Sequence, residues 1–272
     1  LPNCARLANK FSVIRSMYSR EAIHEKAKQY IFSGSRPNNA FKHPVIGAVV
    51  AKATAAGITM TGTGVVAFKN NEAACRKVFE NARLARLPTV VCKPDRDALP
   101  LVEKLAKEYD IKCAIHNHGP KHRYNKVVDV LKAIEKHDER IGACADLGHY
   151  IRSGEKCEDV IRALKGRLYG IHLKDFAEMQ DKTHGVILGK GHMNVDLTFA
   201  ALVDVKFPED GALSLEYEEK PDDPIEDIKQ CLEAARASAR SPRSSRSSAS
   251  ASERPSARAA SAMAVMAADS AP

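Results

Sequence analysis

Residues 141–149, which read IGACADLGH, constrain the fold of this chain more than any other stretch. The run before Asp146 is apolar without alternation, which is typical of a strand buried on both faces of a parallel sheet. Three other apolar runs also end in His or charged residues: His116 and His118; His172, Lys174 and Asp175; Glu216 and Glu218. Because the carboxyl ends of parallel barrel strands meet at one rim, the sequence predicts a (β/α) barrel with a polar site at that rim.

The regular βα pattern occupies residues 53–237. Strands are predicted over residues 57–67, 89–93, 112–118, 142–146, 168–173 and 212–216, and helices over 70–87, 97–109, 125–137, 155–165, 194–203 and 224–237. Asn70 or Asn71 is placed to cap the first of these helices. The predicted fold class is therefore α/β, a TIM-barrel-like (β/α) fold that is incomplete, with about six of the eight βα units of a closed barrel.

The two ends of the chain do not follow this pattern. Residues 1–52 contain the words FSVIRSM, HEKAKQY, SGSRP and PVIGAVV, which resemble a fragment of an uncharacterised sulfatase- or alkaline-phosphatase-like family. Helices are predicted there over residues 21–32 and 44–50. Residues 238–272 consist largely of Ser, Ala, Arg and Pro, and such a segment cannot bury enough apolar surface to offset its ordering entropy. We expect this tail to be disordered.

Composition narrows the class of function. The seven cysteines form no C-x-x-C pair, so neither a disulfide framework nor a thiolate zinc site is predicted. The net charge of +8 favours nucleic acid, but the tail carries part of it and helix faces carry the rest, so we do not expect a nucleic-acid partner. No apolar run reaches the roughly 18 residues of a membrane span, and no signal-peptide pattern begins the chain. These features favour a cytoplasmic protein without a membrane partner.

The strand-end residues are of types that bind metal ions. Asp146, His172 and Glu216 offer two carboxylates and an imidazole, a set that suits one hard or borderline divalent ion. His116 is the natural fourth ligand. Because all four occupy equivalent strand ends, we expect their donor atoms to converge on one ion at about 2.0–2.3 Å each. His149, three residues beyond Asp146, is placed to reach a substrate oxygen or to support a ligand.

Five words carry a resemblance to a known family: AIHNHGP from residue 114, CADLGH from 144, GIHLKDF from 170, LGKG from 188 and LSLEYE from 213. In this order and at these spacings they resemble the sugar phosphate isomerase/epimerase family of the xylose-isomerase-like TIM barrels, over residues 53–237. The resemblance implies one divalent ion, Mn²⁺ first and Zn²⁺, Co²⁺ or Mg²⁺ otherwise, bound by His116, Asp146, His172 and Glu216. In that family a Glu stands where this chain has His116.

The chemistry that this resemblance implies is isomerisation or epimerisation of a small sugar, sugar phosphate or polyol. Glu216 would remove or return a proton next to a carbonyl through an enediolate, and His116 would take the partner role or be only a ligand. The expected substrate-binding residues are His118, His149, Lys174, Asp175 and Lys190.

Two other functions are left open. CADLGH and HLKD also resemble words of the apurinic endonuclease family, metal-dependent phosphodiesterases whose three-metal cluster needs ligands that this sequence does not obviously supply. The other is a catalytically inactive, truncated barrel. Without the first two βα units, the strands at 57–67 and 212–216 would each present an unpaired edge. We therefore expect an open six-stranded sheet, a homo-oligomer formed through the open edge, and weak or absent turnover.

Overall fold

The computed structural model describes residues 59–220 and 222–240, residues 53 and 55–57 before them, and the backbone of two short strands nearer the ends of the chain. The strands are β1 (Ser12–Val13), β2 (Val66–Phe68), β3 (Thr89–Pro94), β4 (Lys112–His116), β5 (Ile141–Asp146), β6 (Leu168–Leu173), β7 (Asp175–Phe176), β8 (Gly185–Val186), β9 (Ala212–Glu216) and β10 (Met263–Met266). The helices are α1 (Glu72–Leu84), α2 (Leu99–Tyr109), α3 (Val127–Ile134), α4 (Leu147–Arg152), α5 (Cys157–Ala163), α6 (Val195–Asp204) and α7 (Ile225–Arg240).

A parallel sheet forms the centre of the molecule. Its strand order is β1-β10-β9-β6-β5-β4-β3-β2, and every neighbouring pair is parallel. The six strands β2, β3, β4, β5, β6 and β9 alternate with helices along the chain, which is the arrangement of a partial TIM barrel. Strands β7 and β8 form a separate antiparallel pair. The predicted fold class is confirmed.

The outer edge of β9 differs from the sequence prediction. Strand β10 pairs along β9, with Met263–Met266 against residues 213–216, and β1 pairs with β10. The expectation of an unpaired edge at 212–216 is therefore wrong, because terminal segments supply two further strands. At the opposite side of the sheet, β2 is the edge strand. Within the described part of the chain it pairs only with β3.

The two faces of the sheet have different partners. Val91, Ala114, Cys144 and Tyr169 form a small apolar cluster on the inner face. Residues that alternate with them along the strands pack with the helices in a much larger outer core. Because side chains alternate between faces, a residue two positions beyond an inner-face residue lies on the same face. His116 and Asp146 lie two positions beyond Ala114 and Cys144 and therefore share the inner face with them. His172 joins them because it pairs with Asp146 across the ladder, and Glu216 joins them because it lies two positions beyond Ser214, the partner of His172 on β9.

The first barrel strand is shorter than predicted. Regular pairing begins at Val66 instead of residue 57, and Thr63 contacts β3 by other hydrogen bonds. Its amide donates to the Thr89 carbonyl at 3.3 Å, and its Oγ1 accepts from the Val91 amide at 3.0 Å. The Thr63 hydroxyl thus takes the place of a backbone carbonyl as the acceptor for the Val91 amide, where the sequence pattern predicted regular strand pairing.

Helix boundaries follow their caps. Asn71 caps α1 by accepting from the Ala74 amide at 3.0 Å, as one of the two predicted alternatives. The short helix α4 was not predicted; Asp146 caps it by accepting from the His149 amide at 2.8 Å. None of the described helices has the length and apolar character that crossing a membrane requires.

Most predictions for the chain ends lie outside the described residues. The helices predicted over residues 21–32 and 44–50 belong to that part, as do residues 241–262 and 267–272 of the tail. Residues 238–240 continue helix α7, and Met263–Met266 form β10. Residues 238–240 thus extend the predicted helix. For Met263–Met266 the structure differs from the disorder that composition predicted, because the edge of β9 offers hydrogen-bond partners that composition does not reveal.

Candidate metal centre

Four strand-end residues converge at the carboxyl rim of the inner face. His116 ends β4, Asp146 ends β5, His172 lies one residue before the end of β6, and Glu216 ends β9. One donor atom from each lies within 4.8 Å of the donor atoms of the other three. The structure therefore brings together all four residues that the sequence proposed as ligands.

His172 is close to each of the other three residues. Its Nδ1 lies 3.1 Å from Nε2 of His116, 3.8 Å from Oδ2 of Asp146 and 2.5 Å from Oε2 of Glu216. His116 Nε2 lies 3.7 Å from the same Asp146 oxygen. Two imidazoles and two carboxylates thus surround one small, buried volume.

Asp146 is fixed by a side-chain amide. The Asn117 Nδ2 donates to the Asp146 carbonyl at 3.0 Å, and Asn117 Oδ1 accepts from the Asp146 amide at 2.7 Å. One carboxylate oxygen of Asp146 caps helix α4. The other, Oδ2, is fully buried and has no hydrogen-bond partner within the described part of the chain. Because an unpaired buried carboxylate oxygen is costly, this atom is suited to bind a cation.

The donor set fits a divalent ion. Imidazole nitrogens and carboxylate oxygens bind such ions at about 2.0–2.3 Å, which separates neighbouring donors by about 2.8–3.8 Å in tetrahedral or octahedral sites. The distances of 3.1, 3.7 and 3.8 Å lie in this range. The His172–Glu216 pair, at 2.5 Å, would have to separate as an ion replaced its hydrogen bond.

Burial and neighbouring charges set the protonation of these groups. Burial raises the pKa of Glu216, but Lys174 and then His172 lower it by more, and it falls well below its usual value. Burial lowers the pKa of His172, but Cys144 and Glu216 raise it by more. Burial, followed by the charge of His172, lowers the pKa of His116, which is therefore neutral and able to ligate. An ion at His172 would have to displace its proton.

His118 and His149 lie beside this cluster. Their rings stack with centroids 5.5 Å apart, and the His118 ring is 4.9 Å from that of His116. Burial, and next the charge of Lys93, lower the pKa of His118 to about 4, and burial lowers the pKa of His149. The Nδ1 atoms of both are buried without a hydrogen-bond partner in the described residues. Two neutral imidazoles are thus available to bind hydroxyl groups.

Lys174 lies between two carboxylates. Its Nζ donates to Glu216 Oε1 at 2.9 Å and also contacts Glu218. Burial, opposed by Lys174 and reinforced by Glu216, raises the pKa of Glu218 to about 6. The sequence patterns predicted no role for Glu218 or for Asn117. The spacing of two residues from Glu216 would have indicated Glu218, because such residues share a face of an extended chain.

Asp175 and Lys190, both predicted to bind substrate, form hydrogen bonds with groups of the protein. The carboxylate of Asp175 accepts from the amides of Phe176, Gly189, Gly191 and Met193 at 2.8–3.0 Å. Its oxygens therefore hold the loop before α6, and the expectation that Asp175 binds substrate is not supported by this geometry. Lys190 is exposed, and its Nζ donates to Gln230 on α7 at 3.0 Å.

Comparisons with solved structures identify the same fold. An uncharacterised protein of Parabacteroides distasonis is 24% identical, with a TM-score of 0.58 over 85% of this chain and 99% of that chain. The IolI protein, solved with a zinc atom, is 13% identical, with a TM-score of 0.64 over 84% and 98%. The 3-keto-D-glucoside 4-epimerase of E. coli is 14% identical, with a TM-score of 0.58 over 71% and 84%.

The sequence itself also has a family match. No curated protein is significantly similar to the chain. Residues 96–237, just over half of the chain, match the family described as the xylose isomerase-like TIM barrel. This stretch contains β4, β5, β6 and β9, which carry the four clustered residues. The chain belongs to the xylose isomerase-like TIM barrel family.

Proposed function

We propose that this protein is a metal-dependent isomerase or epimerase of a small sugar or polyol, with residues 53–237 as its catalytic domain. The observation that carries the proposal is the buried cluster of His116, Asp146, His172 and Glu216 at the carboxyl rim of the sheet. Enzymes with this architecture have their active sites at that rim. Isomerases and epimerases occur among proteins of the same fold, including the 3-keto-D-glucoside 4-epimerase.

The four clustered residues are the proposed ligands of one divalent ion, with Mn²⁺ the first candidate and Zn²⁺, Co²⁺ or Mg²⁺ the others. A bound ion would polarise the substrate's carbonyl and the hydroxyl on the neighbouring carbon. This would acidify the hydrogen on the carbon that carries the hydroxyl. Support comes from the donor types, their spacing and the unpaired Oδ2 of Asp146. The zinc atom in the IolI protein is a precedent in a protein of the same fold.

Glu216 is the proposed base. Its lowered pKa keeps it ionised at neutral pH, with Lys174 holding Oε1 and His172 facing Oε2. An ionised carboxylate at the strand end could remove the proton next to the carbonyl and return it to the other face or the neighbouring carbon of an enediolate. His116 takes the partner role in proton transfer or is only a ligand, and its lowered pKa favours the neutral form that both roles need.

The remaining site residues are proposed to orient the substrate. His118 and His149 offer buried, unpartnered nitrogen atoms beside the cluster, which suit hydrogen bonds to sugar hydroxyls. Lys174 positions Glu216 through its direct hydrogen bond. Lys190, exposed on the loop before α6, would contact substrate only from the outer side of the site.

An endonuclease function has less support. The three-metal cluster of that class needs more His and carboxylate ligands than one ion does. Among the described residues, only one group of three or more His, Cys, Asp or Glu side chains is close enough together to hold a metal ion, and it has four members. We therefore retain the single-ion isomerase or epimerase as the proposal.

The test is exchange of the substrate's α-hydrogen with solvent. We expect the full chain with Mn²⁺ to exchange this hydrogen in at least one ketose of a panel of free and phosphorylated sugars in D₂O, followed by NMR. The Glu216→Gln variant should lose the exchange because only the base is removed. Glu209→Gln, at an exposed loop position outside the cluster, is the matched control and should keep it. Exchange retained in Glu216→Gln would contradict the proposed role, and no exchange by the wild type would contradict the proposed activity.

A further inference from the structure

A cavity borders the cluster on the side of the first strands. Its volume is about 330 Å³, and it lies among the carboxyl ends of β2 and β3 and the loop that follows β4. His118 lines this cavity, and its ring centroid is 4.9 Å from that of the clustered His116. One imidazole therefore separates the cavity from the candidate metal centre. A ligand that occupied both would contact His118.

The lining of this cavity is strongly basic. Four of its side chains are cationic, namely Lys69, Lys93, Lys121 and Arg123, whereas Asp95 is its one carboxylate. Arg123 is already engaged, because its guanidinium donates to Asp95 Oδ1 at 2.6 Å and to the Pro94 carbonyl at 2.8 Å. This pair satisfies the carboxylate and leaves the three lysines as the uncompensated charges.

Two of these lysines have no side-chain partner in the described part of the chain. Lys121 Nζ is 3.7 Å from the Asp181 carboxylate, but Lys69 and Lys93 form no side-chain hydrogen bond or ion pair with any described residue. Lys93 is half-buried and gains no acceptor from the described residues, whereas Lys69 is exposed. A half-buried cation without a partner among the described residues, on a cavity lined by further cationic side chains, is suited to bind an anion.

The sheet register directs Lys93 into the site. Val91 lies on the inner face, and Lys93, two residues later on β3, lies on the same face. Cys92 pairs with Ile115 of β4, so the next residues along the two strands, Lys93 and His116, are neighbours across the ladder. Lys93 therefore lies near the carboxyl end of β3, on the same face as His116 and at the neighbouring position of the sheet.

We infer that this cavity binds the phosphate group of a phosphorylated sugar while the cluster holds its reacting end. The inference rests on the proposed function and specifies its substrate class. Two unpartnered ammonium groups match the two negative charges of a phosphate monoester, and lysine is a common phosphate ligand. His118, between cavity and cluster, would hydrogen-bond to the sugar chain that connects the two ends. A neutral sugar would leave Lys93 uncompensated.

Binding of inorganic phosphate to the full chain tests the inference. The protein is first stripped of metal with EDTA, so that an ion at the cluster cannot hold the phosphate, and the titration is followed by ³¹P NMR. We expect Lys93→Gln to weaken phosphate binding about tenfold or more, because it removes a charge-assisted contact. Lys93→Arg, which keeps the charge, should retain part of the affinity. Lys77→Gln, with the same charge change at an exposed position of α1, should bind like the wild type.

Three results would overturn the inference. These are unchanged phosphate binding in Lys93→Gln, equal weakening in Lys77→Gln, and absence of phosphate binding in a wild type whose circular dichroism shows a folded chain. Binding of a sugar acid that depends on Lys93, without phosphate binding, would assign the cavity to carboxylates and also contradict the inference.

The outcome is independent of the hydrogen-exchange test. Because the phosphate titration uses metal-free protein and no turnover, it can succeed where the proposed isomerase activity fails, and the reverse also holds. If both succeed, a phosphorylated ketose should exchange its α-hydrogen with a lower KM than the free ketose. Lys93→Gln should then raise that KM, with a smaller effect on kcat.

Discussion

Asp175 accepts hydrogen bonds from four backbone amides while it is 1% exposed. Burial raises its pKa and the amides lower it, with burial the larger effect. We expect Asp175→Ala to lower the free energy of unfolding by about 2–4 kcal/mol, because buried amides would lose their acceptor. Urea denaturation measures the change. Asp181→Ala, at a more exposed loop position, is the control, and an equal loss in both variants would contradict the role of Asp175.

At the residue scale, the sequence predicted the clustered residues better than the groups that support them. His116, Asp146, His172 and Glu216 were recognisable because each ends an apolar run, and parallel strands bring such ends together. Lys93 ends a predicted strand as well, but its proposed role depends on having no side-chain partner among the described residues, which a sequence does not reveal.

The supporting residues depend on three-dimensional contacts. Asn117 holds Asp146 through two hydrogen bonds from the neighbouring strand, and nothing in a His-Asn-His word distinguishes such an amide from a surface one. Asp175 was expected at the substrate because it also follows a strand. Its carboxylate instead contacts a loop that lies 14–18 residues further along the chain. Local sequence cannot specify contacts of that kind.

At the element scale, close contact between β5 and β6 depends on a glycine. A Cβ added at Gly142 would lie 2.3 Å from the Tyr169 ring and 2.4 Å from the Arg167 carbonyl. We expect Gly142→Ala to lower the free energy of unfolding by about 2–4 kcal/mol, because the backbone oxygen cannot move without disturbing the ladder. Thermal denaturation followed by circular dichroism measures the loss.

Gly64 is the matched control for this prediction. A Cβ there has no atom within 4 Å, and its φ is not in the left-handed region. Gly64→Ala should therefore leave stability unchanged or raise it by up to about 1 kcal/mol through the entropy of the unfolded chain. If Gly142→Ala were as stable as Gly64→Ala, the described packing of Tyr169 against β5 would be incorrect.

Element boundaries were predictable where a local signal exists and not elsewhere. The cap of α1 was anticipated at Asn70 or Asn71, because amide side chains accept hydrogen bonds from the first turn. The short helix α4 was missed, since Asp146 was interpreted only as a ligand although it also caps a helix. The first barrel strand was predicted too long because Thr63 bonds to β3 through its side chain.

At the scale of the whole molecule, the sheet extends beyond the strands that the βα pattern predicted. Strand β10 pairs with four residues of β9, so a chain that ends at Arg240 would expose that edge. We expect this truncation to lower the melting temperature by about 2–4 °C, equivalent to about 1 kcal/mol, and to promote self-association at higher concentration. The composition of residues 238–272 predicts no change, so an unaltered melting temperature and elution volume would favour a solvated tail over the paired strand.

The central claim is that His116, Asp146, His172 and Glu216 hold one divalent ion. The most direct measurement is the metal content of the full chain after loading with Mn²⁺ or Zn²⁺ and dialysis, determined by inductively coupled plasma mass spectrometry. We predict about one ion per chain in the wild type and in His184→Ala, an exposed control, and less than about one tenth of that in a folded His172→Ala variant. A wild type that retains no ion, or a His172→Ala variant that retains a full one, would contradict the claim.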